Sequence, residues 1–520
     1  MSRIVAKILK YAFMALILLS ACARVGNPSG GKKDVVPPRL LKSIPSHQTK
    51  NFNGKEIILY FDEYVQLKDP SKNILISPPL PHPPVIVPAV ASKVFKIKFQ
   101  DSLLPNTTYL INFGNSIADY NEGNKLTGLQ LVFSTGSVID SLSFKAKASM
   151  VHYDDKVENL LLGLYAAKDY KDSLVFSKKP YYVARKTAND VFEFNYLKPG
   201  TYRLIGILDE NNDFKYYKGK EAIGFIDKEI HIPGDTLAEI HLFKEPERLS
   251  FDKVEQKSAH HVQIKVKGNI DSLQVVAADS LEKSLKTVQN NQLDFWYDTP
   301  GDSIKLLLKL GNKTKKFFKK RLKNRDSLQL RLLSGAGNPM DSIEIVGNTP
   351  LIKYNKDSIR LFMDSIPVAC DLQLNNRHTF YVILDKKRAG SYKLELLPGA
   401  ITDFVGNKLK DTIHPGFRIR KKEDFGNLEL YLKKHKGVPR FVELIRNKKV
   451  YRKTKTTTSD TIRISYIFPG KYKIRVVYDI NENNRWDTGD FLKHRQAEET
   501  FEPANEIEIR PNWDVNQTYD

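Results

Sequence analysis

Five oxygen-bearing side chains near the C-terminus have the spacing of a calcium-binding loop. In the stretch DINENNRWDTGD they hold the first, third, fifth, ninth and twelfth positions: Asp479, Asn481, Asn483, Asp487 and Asp490. This spacing can wrap carboxylate and amide oxygens around one Ca²⁺ ion. The sixth position is Asn484 instead of the glycine that an EF-hand loop requires. A surface turn built from Asp and Asn side-chain hydrogen bonds is therefore the alternative.

An earlier stretch repeats the start of this pattern. Asp209, Asn211 and Asp213 keep the first three oxygen positions, but the twelfth position is Lys220, with Glu221 beside it. The loop at Asp479 is therefore the better candidate, and calcium is the one candidate cofactor.

A second kind of chemistry is indicated at the N-terminus. Arg3, Lys7 and Lys10 precede a short apolar run, which ends in Leu-Ser-Ala-Cys at Cys22. This is the pattern of a secretory signal with a small-residue cleavage site, and the apolar run is too short to span a bilayer. The four residues resemble the lipobox of bacterial lipoproteins, which implies a signal peptide over 1–21 and a diacylated Cys22. Residues 22–35 are then a flexible tether to the lipid.

A basic run surrounds two aromatic residues between Lys309 and Arg325. In the functional interpretation, its cations contact an anionic surface, either lipid phosphates or an anionic glycolipid. The predicted contact residues are Lys315, Lys316, Lys319, Lys320 and Arg321. The other interpretation, which the sequence favours, is a solvated hairpin anchored to the core by Phe317 and Phe318.

The remaining reactive side chains favour no enzyme. Cys370 has no intrachain partner if Cys22 carries lipid, and it is interpreted as a small buried hydrophobe. The adjacent pairs His260-His261 and Asp62-Glu63 diverge if they lie in strands, so neither pair can easily share a metal or a proton. The sequence contains no nucleophile elbow, zinc-protease motif, phosphate loop or Cys-x-x-Cys. We therefore predict a protein without enzymatic activity.

Composition and periodicity indicate several β domains. The chain has 520 residues, with 82 Lys+Arg against 60 Asp+Glu, which is too long for one core. Short alternating runs recur between turn residues, as in Ile57–Phe61 and Tyr472–Tyr478. The fold class is all-β: serial β-sandwiches after a signal peptide. For an exported basic protein we expect a phosphate-bearing glycolipid, an acidic polysaccharide or an acidic protein face as partner, and no nucleic acid.

One module type occurs twice. The first copy has an alternating strand at Ile57–Val65, a Tyr-led strand at Tyr109 and a turn of Asp119 with Gly123-Asn124. The second copy has Ile359–Pro367, a strand led by Tyr392, and Asp403 with Gly406-Asn407. This pattern resembles the bacterial Ig-like domain of surface-layer proteins and of many Bacteroidota lipoproteins. The second copy shows no clear closing strand.

Another module type also occurs twice, and its copies align without a gap. FNYLKPGTYRLIGILDENND begins at Phe194, and ISYIFPGKYKIRVVYDINEN begins at Ile464. The Pro-Gly pair makes a turn, and Tyr202 or Tyr472 opens the strand after it. The pattern resembles the transthyretin-like or carboxypeptidase-regulatory-like β-sandwich, which implies a spacer, stabiliser or binding platform.

The predicted order of segments follows from these repeats. The ranges are 1–21 signal peptide, 22–35 tether, 36–136 Ig-like, 140–246 transthyretin-like, 250–335 β-rich without a family, 345–420 Ig-like and 424–512 transthyretin-like.

The expected function is architectural. The post-cysteine stretch resembles that of a lipoprotein group of the Bacteroidota, which implies an outer-membrane lipoprotein serving as the docking subunit of an envelope complex. An outer-membrane β-barrel is the favoured partner. In lipoproteins of that group, acidic residues directly after the lipidated cysteine direct the protein to the cell surface. Here Arg24 comes early and the first acid is Asp34, so the resemblance implies the periplasmic face over the cell surface. The rival function is surface glycan binding or adhesion, for which Trp296, Trp486 and Trp513 are few and scattered.

Overall fold

The structure is a computed structural model of the whole chain. It describes residues 33–152, 159–186, 191–278, 280–289, 291–323, 327–333, 338, 342–375, 378–384 and 388–520. The predicted signal peptide, Cys22 and most of the tether lie outside these residues. Among the described residues, no helix combines the length and apolarity needed to cross a membrane. Contacts divide the chain after Ser141 into two compact units.

The first unit is a β-sandwich with alternating strands facing one core. One sheet has the order β4-β5-β2-β7-β8 with β1 beside β2, and the other has the order β3-β6-β9. Its elements are β1 Leu40–Ile44, β2 Glu56–Leu67, the short helix α1 Pro70–Asn73, β3 Leu75–Ser77, β4 Val85–Val87, β5 Ser92–Lys98, β6 Thr108–Asn112, β7 Ile117–Asp119, β8 Lys125–Leu126 and β9 Gln130–Ser134.

The second unit begins with a sandwich that we call repeat A, residues 142–244. Its sheet order is β12-β11-β14-β15-β17-β10-β13 with β16 beside β14, and β10 and β17 are parallel. The strands are β10 Leu142–Met150, β11 Leu160–Ala166, β12 Tyr182–Arg185, β13 Phe192–Leu197, β14 Gly200–Leu208, β15 Ala222–Phe225, β16 Ile230–Ile232 and β17 Leu237–Lys244.

A smaller sandwich follows, which we call the middle domain. It packs the sheet β18-β19-β22-β21 against the sheet β20-β23-β24. The strands are β18 Ser250–Ser258, β19 His261–Lys267, β20 Leu273–Ala277, β21 Lys283–Gln289, β22 Gln292–Asp298, β23 Ser303–Leu310 and β24 Lys313–Lys320.

The next sandwich repeats the pairing of the first unit. The sheets β25-β26-β31-β30 and β28-β32-β34 correspond to β1-β2-β5-β4 and β3-β6-β9. Its strands are β25 Leu330–Leu332, β26 Ile343–Gly347, β27 Leu351–Tyr354, β28 Ile359–Met363, β29 Ile366–Val368, β30 Asp371–Leu374, β31 Thr379–Ile383, β32 Gly390–Leu396, β33 Ile401–Asp403 and β34 Gly416–Ile419.

This pairing corrects one prediction. The counterpart of Ile57–Phe61 in β2 is β26, because β26 pairs with β31 as β2 pairs with β5. The stretch Ile359–Pro367, predicted to take that place, instead forms β28 and β29, and β28 corresponds to β3. The closing strand that the sequence did not reveal is β34, which pairs with β32. The pairing also puts β25, within the predicted 250–335 segment, into this sandwich.

The last sandwich, repeat B, spans residues 426–519 and pairs its strands as repeat A does. In both repeats the first and last strands are parallel, and the strand after Pro-Gly pairs with three neighbours. The strands are β35 Gly426–Leu432, β36 Arg440–Arg446, β37 Lys449–Lys453, β38 Thr461–Ile467, β39 Gly470–Tyr478, β40 Thr500–Phe501, β41 Ile507–Ile509 and β42 Asp514–Tyr519.

The two repeats share local detail as well. Tyr202 donates its hydroxyl hydrogen to the Lys198 carbonyl at 2.9 Å, and Tyr472 donates to the Phe468 carbonyl at 2.8 Å. The residue before the last one of β13 is Tyr196, and the equivalent residue of β38 is Tyr466. Both have a positive φ, 59° and 56°. The same turn chemistry therefore closes the Pro-Gly hairpin in each copy.

Candidate functional site

The loop after β39 places an aromatic side chain of repeat B inside repeat A. Phe491 is 1% exposed and lies in a cluster otherwise built from repeat A. Its ring centroid is 5.5 Å from that of Phe225 and 6.5 Å from that of Tyr216. We call residues 487–496 the clasp, because this segment holds the last module of the unit against its first.

A buried carboxylate completes the joint. Glu245, just after β17, is 2% exposed. It accepts hydrogen bonds from the Tyr216 hydroxyl at 2.6 Å and from the Phe491 amide at 3.0 Å, and the Lys218 ammonium lies 2.9 Å away. A buried charge is tolerated only when it is paired and hydrogen-bonded. The partners here come from both repeats, so undocking the clasp leaves Glu245 short of one donor.

Polar contacts surround the buried pair. Thr488 donates its hydroxyl hydrogen to the Lys244 carbonyl at 2.8 Å, and Gln496 donates to the Phe225 carbonyl at 3.0 Å. Gly489 lies so close to Phe243 that a Cβ at this position would collide with the ring. The clasp backbone thus approaches repeat A at a distance that only glycine permits.

His494 adds a titratable contact at the rim of the clasp. Its ring nitrogens lie 2.9 Å from a carboxylate oxygen of Asp172 and 3.2 Å from one of Asp227, both in repeat A. These two hydrogen bonds raise the pKa of His494 above its ordinary value. The charged imidazole therefore strengthens the joint.

A second contact between the repeats lies beside the clasp. The ring of His152 in repeat A stacks on Trp486 in repeat B, with centroids 4.4 Å apart and planes 7° from parallel. The same imidazole is 3.7 Å from the Glu443 carboxylate. Burial alone would raise the pKa of Glu443, but the nearby His152 imidazole and Arg475 guanidinium hold it below its usual value.

The predicted calcium loop folds on its own hydrogen bonds. Asp479 is buried and accepts the amides of Asn483 at 3.1 Å and Asn484 at 2.8 Å. Asn481 and Asn483 each donate a side-chain amide hydrogen to Asp487, at 2.6 and 2.7 Å. These contacts are those of the surface-turn alternative.

The last predicted ligand has other partners. The carboxylate of Asp490 lies 3.7 Å from the Lys218 ammonium and 3.5 Å from that of Lys493. Glu498, which the sequence analysis missed, instead accepts the amides of Ile480 and Asp487. Burial and then the nearby carboxylates of Asp487 and Asp479 raise the pKa of Glu498.

The loop in repeat A has a corresponding glutamate, Glu221. Asp209 accepts the amides of Asp213 and Phe214 at 3.1 and 3.2 Å. Glu221 is 3% exposed, and burial, followed by the Asp209 carboxylate, raises its pKa to about 7. Within the described residues, no group of three or more His, Cys, Asp or Glu side chains is placed to hold a metal. Calcium at either loop stays a prediction.

The basic run forms strand β24, and alternation divides its cations. Lys316 and Lys320 share the outer face of the sheet with Phe318, whereas Lys315 and Lys319 lie on the face of buried Phe317. The Lys315 ammonium lies 5.9 Å from the centre of the Phe251 ring, on β18. Arg321 donates to the Thr299 carbonyl at 3.2 Å and contacts His260 at 2.8 Å, so it is held within the middle domain.

The other reactive residues are placed as separate structural contacts. Cys370 is half-buried, and burial raises the pKa of its thiol. His261 contacts Asp294 at 2.8 Å and stacks on Trp296, while His260 contacts the Tyr297 carbonyl. The pair therefore diverges, as alternation predicts. Cys22, the predicted lipidation site, lies outside the described residues.

The clasp residues themselves were not predicted. Glu245 and Phe491 are separated by most of the second unit, and no spacing rule connects them. The available signal was a departure between repeats: the loop after Asp479 in repeat B carries an aromatic residue, Phe491, beyond the last aligned position. A long insertion with an apolar residue in one copy indicates a contact that the other copy lacks.

Comparison with known families identifies one module directly. Residues 34–135 match the family model of the bacterial Ig-like domain. This confirms the resemblance predicted for the first sandwich. No curated protein matches the sequence.

Solved structures resemble the chain only weakly. Domains 5–6 of the S-layer protein SbsC are 12% identical, over 34% of this chain and 100% of that one, with a TM-score of 0.19. The titin I9–I11 tandem is 10% identical, over 54% and 99%, with a TM-score of 0.15. A Bacteroides ovatus protein solved with a mixed-linkage heptasaccharide, SGBP-B, is 8% identical, over 71% and 91%, with a TM-score of 0.20. Likenesses at this level carry no functional argument.

The clasp predicts a large effect of one aromatic residue. Phe491→Ala should lower the free energy of unfolding of the second unit by about 3–5 kcal/mol, because it removes a ring from a packed cluster. The matched control is its neighbour Leu492→Ala, since Leu492 is 51% exposed and should change stability by less than about 0.5 kcal/mol. Urea denaturation of the full chain measures both. Equal effects of the two substitutions would contradict the clasp.

The rim of the clasp predicts a pH dependence. Because the pKa of His494 is raised above its ordinary value of 6.5, its ion pairs stabilise the folded state fully below pH 6.5. They are lost as the pH rises through the raised pKa. The melting temperature of the parent should therefore exceed that of His494→Gln in mild acid and approach it in alkali. His241→Gln, whose ring contacts the Ser149 hydroxyl, is the control. A constant difference across pH contradicts the assignment.

The calcium prediction is tested by melting temperature. Calcium binding predicts a higher midpoint in about 1 mM CaCl₂ than in EGTA, because a ligand of the folded state stabilises it. Asp487→Asn should abolish the rise, while Asp411→Asn, at an exposed site outside the loop, should keep it. No shift in the parent would leave the hydrogen-bonded turn as the whole role of this loop.

Proposed function

We propose that this protein is a non-enzymatic structural lipoprotein of the bacterial outer membrane. In this account Cys22 carries the lipid anchor, and the chain serves as a docking subunit of an envelope complex. An outer-membrane β-barrel is the proposed partner, and the periplasmic face is the proposed side. The match to the bacterial Ig-like domain supports the broader class, a structural or surface-binding protein.

The observation that best supports a structural role is that the buried charged side chains contact other parts of the same chain. Glu245 joins repeat A to the clasp, and Glu443 with Arg475 holds the stack of His152 on Trp486. Asp209 and Asp479 accept backbone amides of their own loops. Each of these groups has structural partners, which is the use expected of a stiff scaffold.

The joints between modules support a scaffold as well. Trp296 of the middle domain is 5.6 Å from the ring of His378 in the second Ig-like sandwich. The Arg420 guanidinium lies 5.3 Å from the centre of the Phe468 ring in repeat B. Aromatic and cationic contacts therefore lie at successive joints of the second unit, and the clasp joins its last module to its first. Such joints limit relative domain motion.

Glycan binding is the rival function. It requires exposed aromatic side chains that face a sugar. Trp296 is 3% exposed, and Trp486 is stacked on His152, so two of the three tryptophans serve joints. Trp513 is 56% exposed and lies under Arg510. The distribution of tryptophans favours the structural role.

Acylation at one sulfur predicts the behaviour of a single-atom change. Cys22→Ser should abolish incorporation of labelled palmitate and release the protein from the membrane fraction, because several acyl chains give stable anchoring. Cys370→Ser is the matched control and should keep both properties. A parent that incorporates no label would contradict the lipoprotein proposal.

Purification from detergent-solubilised membranes tests the partner. A stoichiometric β-barrel protein supports the docking role, while bound polysaccharide without a protein partner supports the rival.

Protease treatment of intact cells tests the side of the membrane. Digestion without permeabilisation would contradict the periplasmic face.

A further inference from the structure

The outer face of the sheet β20-β23-β24 in the middle domain is basic and apolar at once. Strand register defines its outward positions, since residues directly opposite each other in an antiparallel pair share a face. Val276 faces Leu307, Leu307 faces Lys316, and Lys305 faces Phe318. The outward set is Gln274, Val276, Ser303, Lys305, Leu307, Lys309, Thr314, Lys316, Phe318 and Lys320. It contains four lysines and no acidic residue.

The apolar residues of this face are exposed where a soluble sheet would carry polar ones. Phe318 is 62% exposed and Val276 is 48% exposed. The Lys305 ammonium lies 6.0 Å from the centre of the Phe318 ring. Phe317, the neighbour of Phe318, is 7% exposed and already anchors the strand to the core. The hairpin alternative therefore accounts for Phe317 and leaves Phe318 unexplained.

Three of the four lysines on this face have no ion-pair partner among the described residues. Lys309, Lys316 and Lys320 make no ion pair with a described carboxylate. On β18, by contrast, Lys253 and Lys257 both pair with Glu255. These three lysines, on the same face as an exposed phenylalanine, fit a surface that is anionic outside and apolar beneath.

We propose that this outer face, which we call the lysine face, contacts anionic phospholipid headgroups in a bilayer and inserts Phe318 among them. Charge complementarity and the exposed ring together select a membrane surface, because each lysine near an anionic surface adds attraction and an aromatic side chain is suited to the interface. The residues are Lys305, Lys309, Lys316, Lys320 and Phe318. They replace Lys315, Lys319 and Arg321 of the sequence prediction, which lie on the other face or are held within the domain.

The inference rests on the proposed membrane attachment and adds an orientation to it. A chain held by a lipid at its N-terminus can still tumble, whereas a second contact in the middle domain lays the second unit against the bilayer. Two weak membrane signals together give stable attachment where one does not.

The test uses the full chain carrying Cys22→Ser, so that acylation plays no part. Sedimentation with vesicles of mixed phosphatidylglycerol and phosphatidylcholine should show binding that weakens as NaCl is raised, and vesicles of phosphatidylcholine alone should show little. Lys316→Gln with Lys320→Gln should weaken binding about 30-fold. The control of equal charge is Lys408→Gln with Lys410→Gln, two exposed lysines of the second Ig-like sandwich.

A second variant separates a membrane from a soluble polyanion. Phe318→Ala keeps every charge and should also weaken vesicle binding, because the ring is proposed to enter the interface. The proposal is overturned if the lysine variant and the control variant weaken vesicle binding equally. So would a Phe318→Ala protein that binds vesicles like its parent, since the face would then be a general polyanion site. Failure of Cys22 acylation would alter none of these results.

Discussion

The second unit depends on one buried carboxylate that neither repeat can satisfy alone. Glu245 is held by Tyr216 and Lys218 of repeat A and by the Phe491 amide of repeat B. An unpaired charge inside a protein costs several kcal/mol. The same contact brings Phe491 into the apolar cluster of repeat A. Burial of the Phe491 ring therefore supplies the favourable free energy of docking, and the hydrogen bonds of Glu245 fix the position of the clasp on repeat A.

The repeats show how a duplicated module acquires such a contact. Both place an aspartate at the end of the strand after Pro-Gly, Asp209 or Asp479, and both fold the next residues onto its oxygens. A glutamate with a raised pKa precedes the following strand in each copy: Glu221, which is buried, or Glu498, which is half-buried. In repeat B the clasp lies between Asp479 and Glu498, and it docks on repeat A.

Local pattern predicted what depends on local physics. The sandwich class, the Pro-Gly hairpins with Tyr202 and Tyr472, and the turns at Asp119 and Asp403 all follow from period-two alternation and turn chemistry. The counterpart of β2 in the second Ig-like sandwich was misassigned, because two short alternating runs fit the same pattern. The clasp and the lysine face depend on tertiary pairing and strand register, so sequence spacing alone could not reveal Glu245 with Phe491, or Phe318 with Lys305.

The most direct measurement is hydrogen–deuterium exchange at the clasp in the full chain. Phe491 donates its amide hydrogen to the carboxylate of Glu245, which directly follows repeat A, and Phe491 is 1% exposed. Slow exchange of the 487–496 segment, matched to that of β15 and accelerated together with it by mild denaturant, is the predicted result. Exchange of this segment at the rate of an exposed loop, while β15 remains protected, would contradict the clasp.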